Sequence, residues 1–238
     1  MERAEELRKL CAEQGIRMID FKMTDLDGRW RHITIPVERF NEDIFVQGIG
    51  FDGSNYGYAP VEKSDMVFIP DPATAVIDPF PTLTMCGNVC VIGEENRPFD
   101  QYPRNVSLRA VEYMKKQGIA DEMLIGPEFE FHLFDNVSYT VSPQKTSFTI
   151  DTAQASWNSG KESPYNNGFQ VPAGGGYHIA APQDIAYNLR SKMCILLENW
   201  GVDVKYHHHE VGGSGQMEIE VELGDMVDMA DKTMIIKY

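Results

Sequence analysis

The sequence predicts a protein of the α+β class, and three observations support this prediction. Runs of alternating polar and apolar residues, the pattern of half-buried strands, recur along most of the chain. Helical spacing of apolar residues is confined to four stretches, at 2–14, 105–117, 182–201 and 226–238. The chain has 238 residues, 42% of them hydrophobic and 24% charged, which is a globular composition with room for one large domain or two smaller ones.

The first hundred residues are predicted to form a small unit that is mostly sheet with one leading helix. In this helix Leu7, Leu10 and Cys11 share a face, and Gly15 follows its last turn. Strands are predicted at 16–24, 30–35, 66–69 and 83–92, with a hairpin turn at 25–28 and a loop at 51–58. A proline-marked connector at 98–103 is the predicted boundary between a domain of residues 1–100 and a second domain of residues 101–238.

The second domain is predicted to combine helices with acidic strands. A helix is expected at 105–117, and another opens at Pro182 and Asp184 and buries five apolar side chains: Ile185, Leu189, Met193, Leu196 and Leu197. Strands are expected at 126–134, 202–210 and 217–223, whereas residues 135–176 have so little periodicity that they indicate a long loop. The last helix, from 226, has no C-cap and no closing strand, so we expect the chain to be a fragment of a longer protein.

The composition narrows the possible partners and locations. A net charge of −15 argues against nucleic acid as the main partner, and an anionic substrate would need metal ions or local arginines. No apolar segment has transmembrane length, and the charged N-terminus is unlike a signal peptide, so we expect a cytoplasmic protein without a membrane partner. The four cysteines are scattered and are expected to be free thiols.

The strand at 126–134 is the most informative stretch of the sequence. Residues two apart on a strand share a face, so Glu128, Glu130 and His132 point one way while Phe129 and Phe131 point into a core. Two carboxylates on one face repel each other unless something positive lies between them. The strand is therefore either a platform for a divalent metal or a solvated face, and for this pair alone the solvated face is the simpler interpretation.

Further carboxylates on two other strands favour the metal. Glu210 and Glu218 flank a glycine-rich turn and could face the first strand. Four converging carboxylates without cysteine favour Mg²⁺ or Mn²⁺ over structural zinc, and paired ions of this kind serve phosphoryl transfer. The histidines at 207–209 alternate between opposite faces, which argues against one shared ion and favours packing or hydrogen bonding to a substrate.

Five ordered motifs resemble the glutamine synthetase family of the bacterial type I, over nearly the whole chain and matching its N-terminal half. They are 51–55 with 64–66, 70–79, 126–131, 176–177 with Pro182 and Asp184, and 208–211 with 215–219. The first motif departs from the family at Asn55, where a serine is usual. Lys205 stands where the family often has a carboxylate that touches the nucleotide.

The resemblance implies a set of roles for residues of this chain. Three glutamates, Glu130, Glu210 and Glu218, would hold one Mg²⁺ or Mn²⁺ ion, and Glu128 would help to hold a second beside the phosphates of ATP. Asp52 would take a proton from ammonium in the active site of a neighbouring subunit, although the residue alone indicates a capped turn. Tyr177 would line the pocket for ammonium and glutamate, although the residue alone indicates packing. Lys205 occupies the position that the resemblance assigns to a nucleotide contact.

The resemblance also implies an architecture and an activity. A β-grasp-like N-terminal domain would precede part of an antiparallel curved sheet flanked by helices, and the family forms stacked homo-oligomeric rings, with a dodecamer expected. The implied reaction joins ammonia to glutamate through γ-glutamyl phosphate, at the expense of ATP. The family's remaining metal ligands and its arginines would lie beyond residue 238, so these residues alone are expected to be inactive.

Two other functions stay open on the sequence. One is a related ligase that joins glutamate to a larger amine, and the other is a non-catalytic synthetase-like protein used in assembly or regulation. The constellation of four glutamates and Asp52 argues against the second. Without the resemblance, the runner-up would be a metal-dependent phosphohydrolase.

Overall fold

The fold was obtained as a computed structural model, which describes residues 3–162, 164, 168 and 170–238. The chain divides into two compact units, the first formed by Met1–Ile125 and Leu223–Tyr238 and the second by Gly126–Glu222. The helix predicted at 105–117 in the second domain is observed at Pro103–Lys116, within the first compact unit. None of the helices in the described ranges is long and apolar enough to cross a membrane.

The α-helices are spread along the chain, and fifteen strands lie between them in the residues that the structure describes. The helices are α1 Arg3–Glu13, α2 Ile44–Gln47, α3 Pro103–Lys116, α4 Tyr187–Asn199 and α5 Met226–Lys237. The strands are β1 Met18–Thr24, β2 Trp30–Pro36, β3 Ile49–Asp52, β4 Asp65–Pro70, β5 Val76–Ile77, β6 Thr82–Met85, β7 Gly87–Val91, β8 Arg97–Pro98, β9 Leu124–Ile125, β10 Glu128–His132, β11 Asn136–Ser142, β12 Lys145–Asp151, β13 Val204–His209, β14 Gln216–Val221 and β15 Gly224–Asp225.

The first unit packs two four-stranded sheets around one core. Their strand orders are β2-β1-β6-β5 and β3-β4-β7-β8, and β1 pairs with β6 in parallel while the other neighbours are antiparallel. Apolar side chains from both sheets, such as Phe21 and Phe68, meet Leu7 and Cys11 of α1 in a buried cluster. The helix, the hairpin turn and the central strands predicted for this region are confirmed.

The strand predicted at 83–92 is wrong in one respect, because it is two strands in different sheets. The chain leaves one sheet after Met85 and joins the other at Gly87. Cys86 between them bonds to a threonine instead of a strand: its N–H donates to Thr74 Oγ1 at 2.9 Å, and its carbonyl accepts from the same hydroxyl at 3.1 Å. The loop predicted at 51–58 likewise begins as the end of β3 and continues as a 3₁₀ turn at Gly53–Tyr56.

The long loop predicted at 135–176 contains a regular hairpin, β11–β12. Val137 lies opposite Ile150 and Tyr139 opposite Phe148, so one face is apolar while the other carries serine and threonine. Serine and threonine made the stretch look loop-like, yet threonine and valine are β-branched and favour strands. Alternation of valine and tyrosine with serine and threonine over 136–142 was the signal that could have predicted the strand.

Helix α4 turns a different face inward from the one predicted. Ile185, Leu189 and Leu196 are 43%, 47% and 38% exposed, whereas Leu197 is buried as predicted. The fully buried position is taken by Arg190, whose guanidinium donates to both oxygens of Asp184 at 2.9 and 2.6 Å. Two buried, paired charges therefore set the orientation of the helix, and apolar spacing alone could not have shown this.

The second unit contains a three-stranded antiparallel sheet of order β10-β14-β13. Met217, Ile219 and Val221 of its central strand are buried. The alternate residues of that strand point to the opposite face, where the predicted metal ligands lie.

Candidate metal centre

Strand register places the acidic residues of the second unit in two rows across the sheet. In the first row Glu130 of β10 lies opposite Glu218 of β14, which in turn lies opposite His208 of β13. In the second row Glu128 lies opposite Glu220. These four glutamates define the glutamate-bearing face of the sheet.

Three side chains at the first row form a compact cluster that could hold a cation. His208, Glu210 and Glu218 each offer one ligand atom, and these atoms lie within 4.8 Å of one another. The imidazole Nδ1 is 3.7 Å from Glu210 Oε2, and its Nε2 is 3.5 Å from Glu218 Oε2. A hard divalent ion prefers carboxylate oxygens, and imidazole is a common further ligand.

The buried carboxylate of Glu210 supports a cation at this place. Its Oε2 atom is buried and has no hydrogen-bond partner among the residues that the structure describes. A buried carboxylate oxygen without a partner is costly, because the group has given up its hydration. A metal ion at the cluster would give this oxygen a partner, so the donor set fits Mg²⁺ or Mn²⁺.

The pKa of Glu218 is raised above its ordinary value of 4.5 by burial. His208 acts in the opposite direction, while the negative charges of Glu210, Glu130 and Glu128 raise the pKa further. Crowded carboxylates of this kind bind a proton more tightly until a cation replaces it.

Glycines allow the turn around the cluster to close. The backbone of Gly215 has φ +78°, and a Cβ there would lie 2.6 Å from the carbonyl of Leu133. Gly176 is packed as tightly, since its Cβ would lie 2.6 Å from the carbonyl of Glu210 and 2.6 Å from the ring of His209. Both glycines therefore permit backbone approaches that other residues would prevent.

The second row ends in a lysine because β13 contains a bulge. The register shifts between Val204 and Tyr206, so the residue between them is extra. Strict alternation of side chains along the strand would place Lys205 on the side of His207 and His209, but the bulge brings its ammonium to Glu220. The ammonium of Lys205 donates to Glu220 Oε1 at 2.6 Å. This hydrogen bond raises the pKa of Lys205.

Tyr177 lies at a cavity of about 750 Å³ beside the cluster. Its ring stacks on His178 with centroids 3.9 Å apart and meets the ring of His208 edge-on at 5.4 Å. The cavity is lined mostly by aromatic, histidine and alanine side chains, with Asp184 and Arg190 among its walls. Such a pocket has the shape and the few polar groups typical of small-molecule sites.

Two histidines of β13 support the strand from the other side. Arg190 Nε donates to His207 Nδ1 at 3.2 Å, so this nitrogen accepts, and His207 Nε2 lies 3.1 Å from the hydroxyl of Ser191. Burial, helped by the charge of Arg190, lowers the pKa of His207. His209 is fully buried and bonds Gln154 at 3.2 Å. The packing interpretation is confirmed for these two histidines, whereas His208 joins the acidic cluster.

Asp52 belongs to the first unit, where it caps a turn. Its Oδ1 accepts from the N–H and the hydroxyl of Ser54 at 2.8 and 2.7 Å, and its Oδ2 accepts from the amide of Asn55 at 3.1 Å. The hydroxyl of Ser54 is the main cause that lowers the pKa of Asp52, so the exposed carboxylate is ionised. The capped-turn interpretation is confirmed, and it is compatible with an additional chemical role.

The structure thus brings several predicted ligands together and adds His208 to the candidate cluster. Glu210 and Glu218 share a cluster, Glu130 lies across from Glu218, and Glu128 is one row further along. The sequence signal for His208 was its separation by two from Glu210, which puts both on one side of the strand.

Comparison with known proteins assigns the chain to a family. The glutamine synthetase β-Grasp domain matches residues 15–94, and the glutamine synthetase catalytic domain matches residues 100–238. The glutamine synthetase of Pasteurella multocida is 40% identical over 234 residues, covering 97% of this chain and 50% of that protein. A protein of Cupriavidus pinatubonensis named 3-hydroxylaminophenol mutase is 39% identical over 238 residues, covering 98% of this chain and 50% of its own length.

A solved structure shares the fold. The glutamine synthetase of Plasmodium falciparum, determined by cryo-electron microscopy, superposes with a TM-score of 0.85 at 23% identity, covering 98% of this chain and 47% of that one. The chain spans about half the length of the relatives that it matches. The predicted α+β class with a β-grasp N-terminal domain is confirmed. Since the two family domains together account for most of its residues, the chain belongs to the glutamine synthetase family.

Proposed function

We propose that this chain contributes to an enzyme that joins ammonia to glutamate at the expense of ATP. The observation that supports it most is the cluster of His208, Glu210 and Glu218, with its unpartnered buried oxygen, on the glutamate-bearing face. A cation-binding carboxylate surface of this kind suits a reaction in which two anions, glutamate and ATP, must approach each other.

The metal ligands are assigned by row. Glu130, Glu210 and Glu218 hold one Mg²⁺ or Mn²⁺ ion, with His208 as an additional donor, and Glu128 contributes to a second. When bound, these ions neutralise charge on the phosphates of ATP and on the carboxylate of glutamate. Lys205 was assigned to the nucleotide, and this contact stays a prediction, since its ammonium is paired with Glu220.

The chemistry proceeds in two balanced steps. The γ-carboxylate oxygen of glutamate attacks the γ-phosphorus of ATP, the bond to the bridging oxygen breaks, and ADP leaves. Ammonia then attacks the carbonyl carbon of γ-glutamyl phosphate, and inorganic phosphate leaves with the bonding electrons. The acyl phosphate is needed because a free carboxylate has no group that ammonia could displace.

Asp52 and Tyr177 handle the ammonium ion. The carboxylate of Asp52 is ionised and exposed, so it can attract ammonium and accept a proton from it. Loss of that proton turns ammonium into ammonia, which is the nucleophile. Tyr177, which lines the cavity beside His208, lines the pocket for ammonium and glutamate. Asp52 acts across a subunit boundary in a homo-oligomeric ring, for which a dodecamer is expected, and the location is expected to be the cytoplasm.

The test is phosphate release from ATP by the purified natural protein, measured with and without glutamate and ammonium. Release should require both substrates and a divalent metal, and glutamine should form in equal amount. The Glu218→Gln variant should lose at least about 100-fold, as expected for removing a group that stabilises transition-state charge. Release of phosphate without glutamate would instead support a phosphohydrolase.

One observation favours a second candidate function, a related ligase that joins glutamate to a larger amine. Asn55 replaces the usual serine and bonds the carboxylate of Asp52 directly, so the surroundings of the proposed base differ from the family pattern. Replacing ammonium in the same assay by methylamine, ethylamine and ethanolamine distinguishes the two activities. A larger amine with higher kcat/KM than ammonium would favour the amine ligase.

A further inference from the structure

Three hydrogen bonds to the carboxylate of Asp52 come from the turn that follows it. Ser54 donates twice to Oδ1, and the amide of Asn55 donates to Oδ2. The backbone of this turn is tied to the next strand by the N–H of Gly53, which donates to the carbonyl of Ser64 at 2.8 Å. The direction of the carboxylate therefore depends on how the turn is held against the rest of the first unit.

The ring of Tyr56, the last residue of the 3₁₀ turn, packs the turn onto the first unit. It stacks on Phe51 with centroids 5.1 Å apart and meets Tyr58 edge-on at 5.6 Å. Tyr58 is buried, and its hydroxyl donates to the carbonyl of Thr24 at 2.6 Å. Aromatic pairs with these geometries stabilise a defined orientation of the rings as well as burying them. The turn is thus connected, through its last residue, to the end of β1.

Arg31 of β2 adds a fixed cation to this packing. Its guanidinium carbon lies 5.4 Å from the centroid of the Tyr56 ring, within the range of a cation–π contact. Its Nε donates at 2.9 Å to Oδ2 of Asp25, a buried residue whose Oδ1 accepts the N–H groups of Asp27 and Arg29. A guanidinium held by a buried carboxylate is a positioned charge, unlike a freely moving surface arginine.

We propose that Arg31 and Tyr56 are positioning residues that orient the carboxylate of Asp52. The guanidinium holds the ring, and the ring holds the turn whose N–H, hydroxyl and amide groups bind that carboxylate. This inference rests on the proposed function, which assigns Asp52 to the ammonium ion. The effect of the two side chains is confined to the step in which ammonium loses its proton, because a general base acts only from a suitable distance and direction.

Two amines that differ in protonation test this inference. At neutral pH ammonia is present mostly as ammonium, which must lose a proton before its nitrogen can attack, whereas hydroxylamine is mostly unprotonated. The nitrogen of hydroxylamine attacks the carbonyl carbon of γ-glutamyl phosphate, phosphate leaves with the bonding electrons, and γ-glutamyl hydroxamate forms as the nitrogen gives a proton to solvent. A misplaced base therefore lowers kcat/KM for ammonium more than kcat/KM for hydroxylamine.

The variants are measured in the full-length natural protein at saturating ATP, Mg²⁺ and glutamate. Arg31→Met and Tyr56→Leu should each lower kcat/KM for ammonium about tenfold, which is part of the roughly 100- to 10,000-fold contribution of a general base. The value for hydroxylamine should fall less than about threefold, because this amine needs no base before it attacks. Tyr56→Phe keeps the ring and Arg31→Lys keeps the cation, so both should recover most of the activity with ammonium.

A neighbouring arginine of the same hairpin is the matched control. The side chain of Arg29 pairs with Asp27 where the two are 69% and 72% exposed, so Arg29→Met should change neither kcat/KM value. The double variant of Arg31→Met and Tyr56→Leu should lose no more activity than either single variant, because the two side chains act as one unit. Thermal unfolding and the activity with hydroxylamine show that each variant is folded, and Tyr56→Leu decides the test if Arg31→Met does not fold.

The outcomes separate the inference from the function on which it rests. If Arg31→Met and Tyr56→Leu use ammonium as wild type does, or lose activity equally with both amines, the inference is overturned. Losses that multiply in the double variant would also contradict it. If wild type forms neither glutamine nor the hydroxamate, the proposed function itself is wrong. If Asp52→Ala keeps its activity with ammonium, the base is assigned wrongly and the inference fails with it.

Discussion

Glu210 keeps one carboxylate oxygen buried beside Glu218, with His208 as the nearest group able to take a positive charge. In the metal-free protein this arrangement lowers the free energy of unfolding, because the oxygen has lost its hydration and lies beside the negative charge of Glu218. A bound cation turns the same geometry into a favourable one. Residues at functional sites commonly combine a cost to stability with a gain in binding in this way.

Glu210→Gln should therefore stabilise the metal-free protein and weaken its response to metal. Removing one of the two adjacent charges should raise the free energy of unfolding by about 1 kcal/mol. Wild type should gain about 2.7 kcal/mol when Mn²⁺ is present at a hundred times its Kd, and the variant should gain much less. Urea unfolding with EDTA and with Mn²⁺ measures both effects. Glu112→Gln, at an exposed position of α3, is the control and should change neither.

The raised pKa of Glu218 predicts a pH dependence of stability in the metal-free protein. The folded state keeps this proton to a higher pH than the unfolded chain, so stability should fall as pH rises from 4.5 through the raised pKa. The pKa of Asp231 is raised too, by burial, so only the difference between wild type and Glu218→Gln isolates Glu218. Urea midpoints measured across this pH range should decline less in the variant. Equal slopes of the urea midpoint against pH in wild type and Glu218→Gln would contradict the assignment of a raised pKa to Glu218.

The side of a strand to which each side chain points could be predicted from the sequence, but interruptions of the alternation by a bulge could not. A period of two correctly grouped Glu128 with Glu130 and placed His207 away from His208. It failed at Lys205 because an inserted residue in β13 leaves no trace in the pattern of polar and apolar residues. The place of His208 in the candidate cluster could not be predicted for a different reason, since a histidine run without a known partner strand indicates no particular ligand.

At the scale of elements, the orientation of α4 depends on a pair of buried charges. Arg190 and Asp184 are 1% and 3% exposed, and Arg190 also donates to His207 of β13. The same pair thus fixes the helix to the strand that bears the candidate ligands. The amphipathic pattern predicted the existence of the helix, whereas its buried face and its start at Tyr187 depend on this polar contact between distant residues.

Arg190→Met should destabilise the second unit strongly. It leaves Asp184 buried without its partner, and breaking a buried ion pair on one side costs about 3–5 kcal/mol. The pair Arg109–Asp100 is a matched control, because its side chains are 46% and 76% exposed. Arg109→Met should change the free energy of unfolding by less than about 1 kcal/mol. Equal effects of the two substitutions in urea unfolding would contradict the structural role of the buried pair.

At the scale of the whole molecule, the proposed base and the proposed metal ligands belong to different compact units of the chain. The family assignment leads us to expect that Asp52 serves a site on a neighbouring subunit. Fold class, most elements and the family could be predicted because they depend on local pattern and ordered motifs. The break within the predicted strand 83–92 could not be predicted, because Thr74, whose hydroxyl bonds to Cys86 at the break, lies twelve residues away along the chain.

Mixed assemblies test whether the active site is shared between subunits. Asp52→Ala and Glu210→Gln should each abolish glutamine formation in the full-length natural protein. When the two variants are refolded or coexpressed together in equal amounts, random pairing should give intact sites at roughly one quarter of the interfaces. Activity near that fraction of wild type is expected. A mixture as inactive as the single variants would show that both residues must come from one subunit.

The missing side chain at Gly176 limits how this site can change. Because any Cβ there would collide with the carbonyl of Glu210 and the ring of His209, the path of the backbone that leads to Tyr177 is tied to the strand that bears the ligands. Substitutions that alter the route of this loop would disturb the candidate metal centre at the same time. A variant with a new acceptor substrate is therefore more accessible through replacement of the side chains of Tyr177 and His178 than through insertions or deletions beside them.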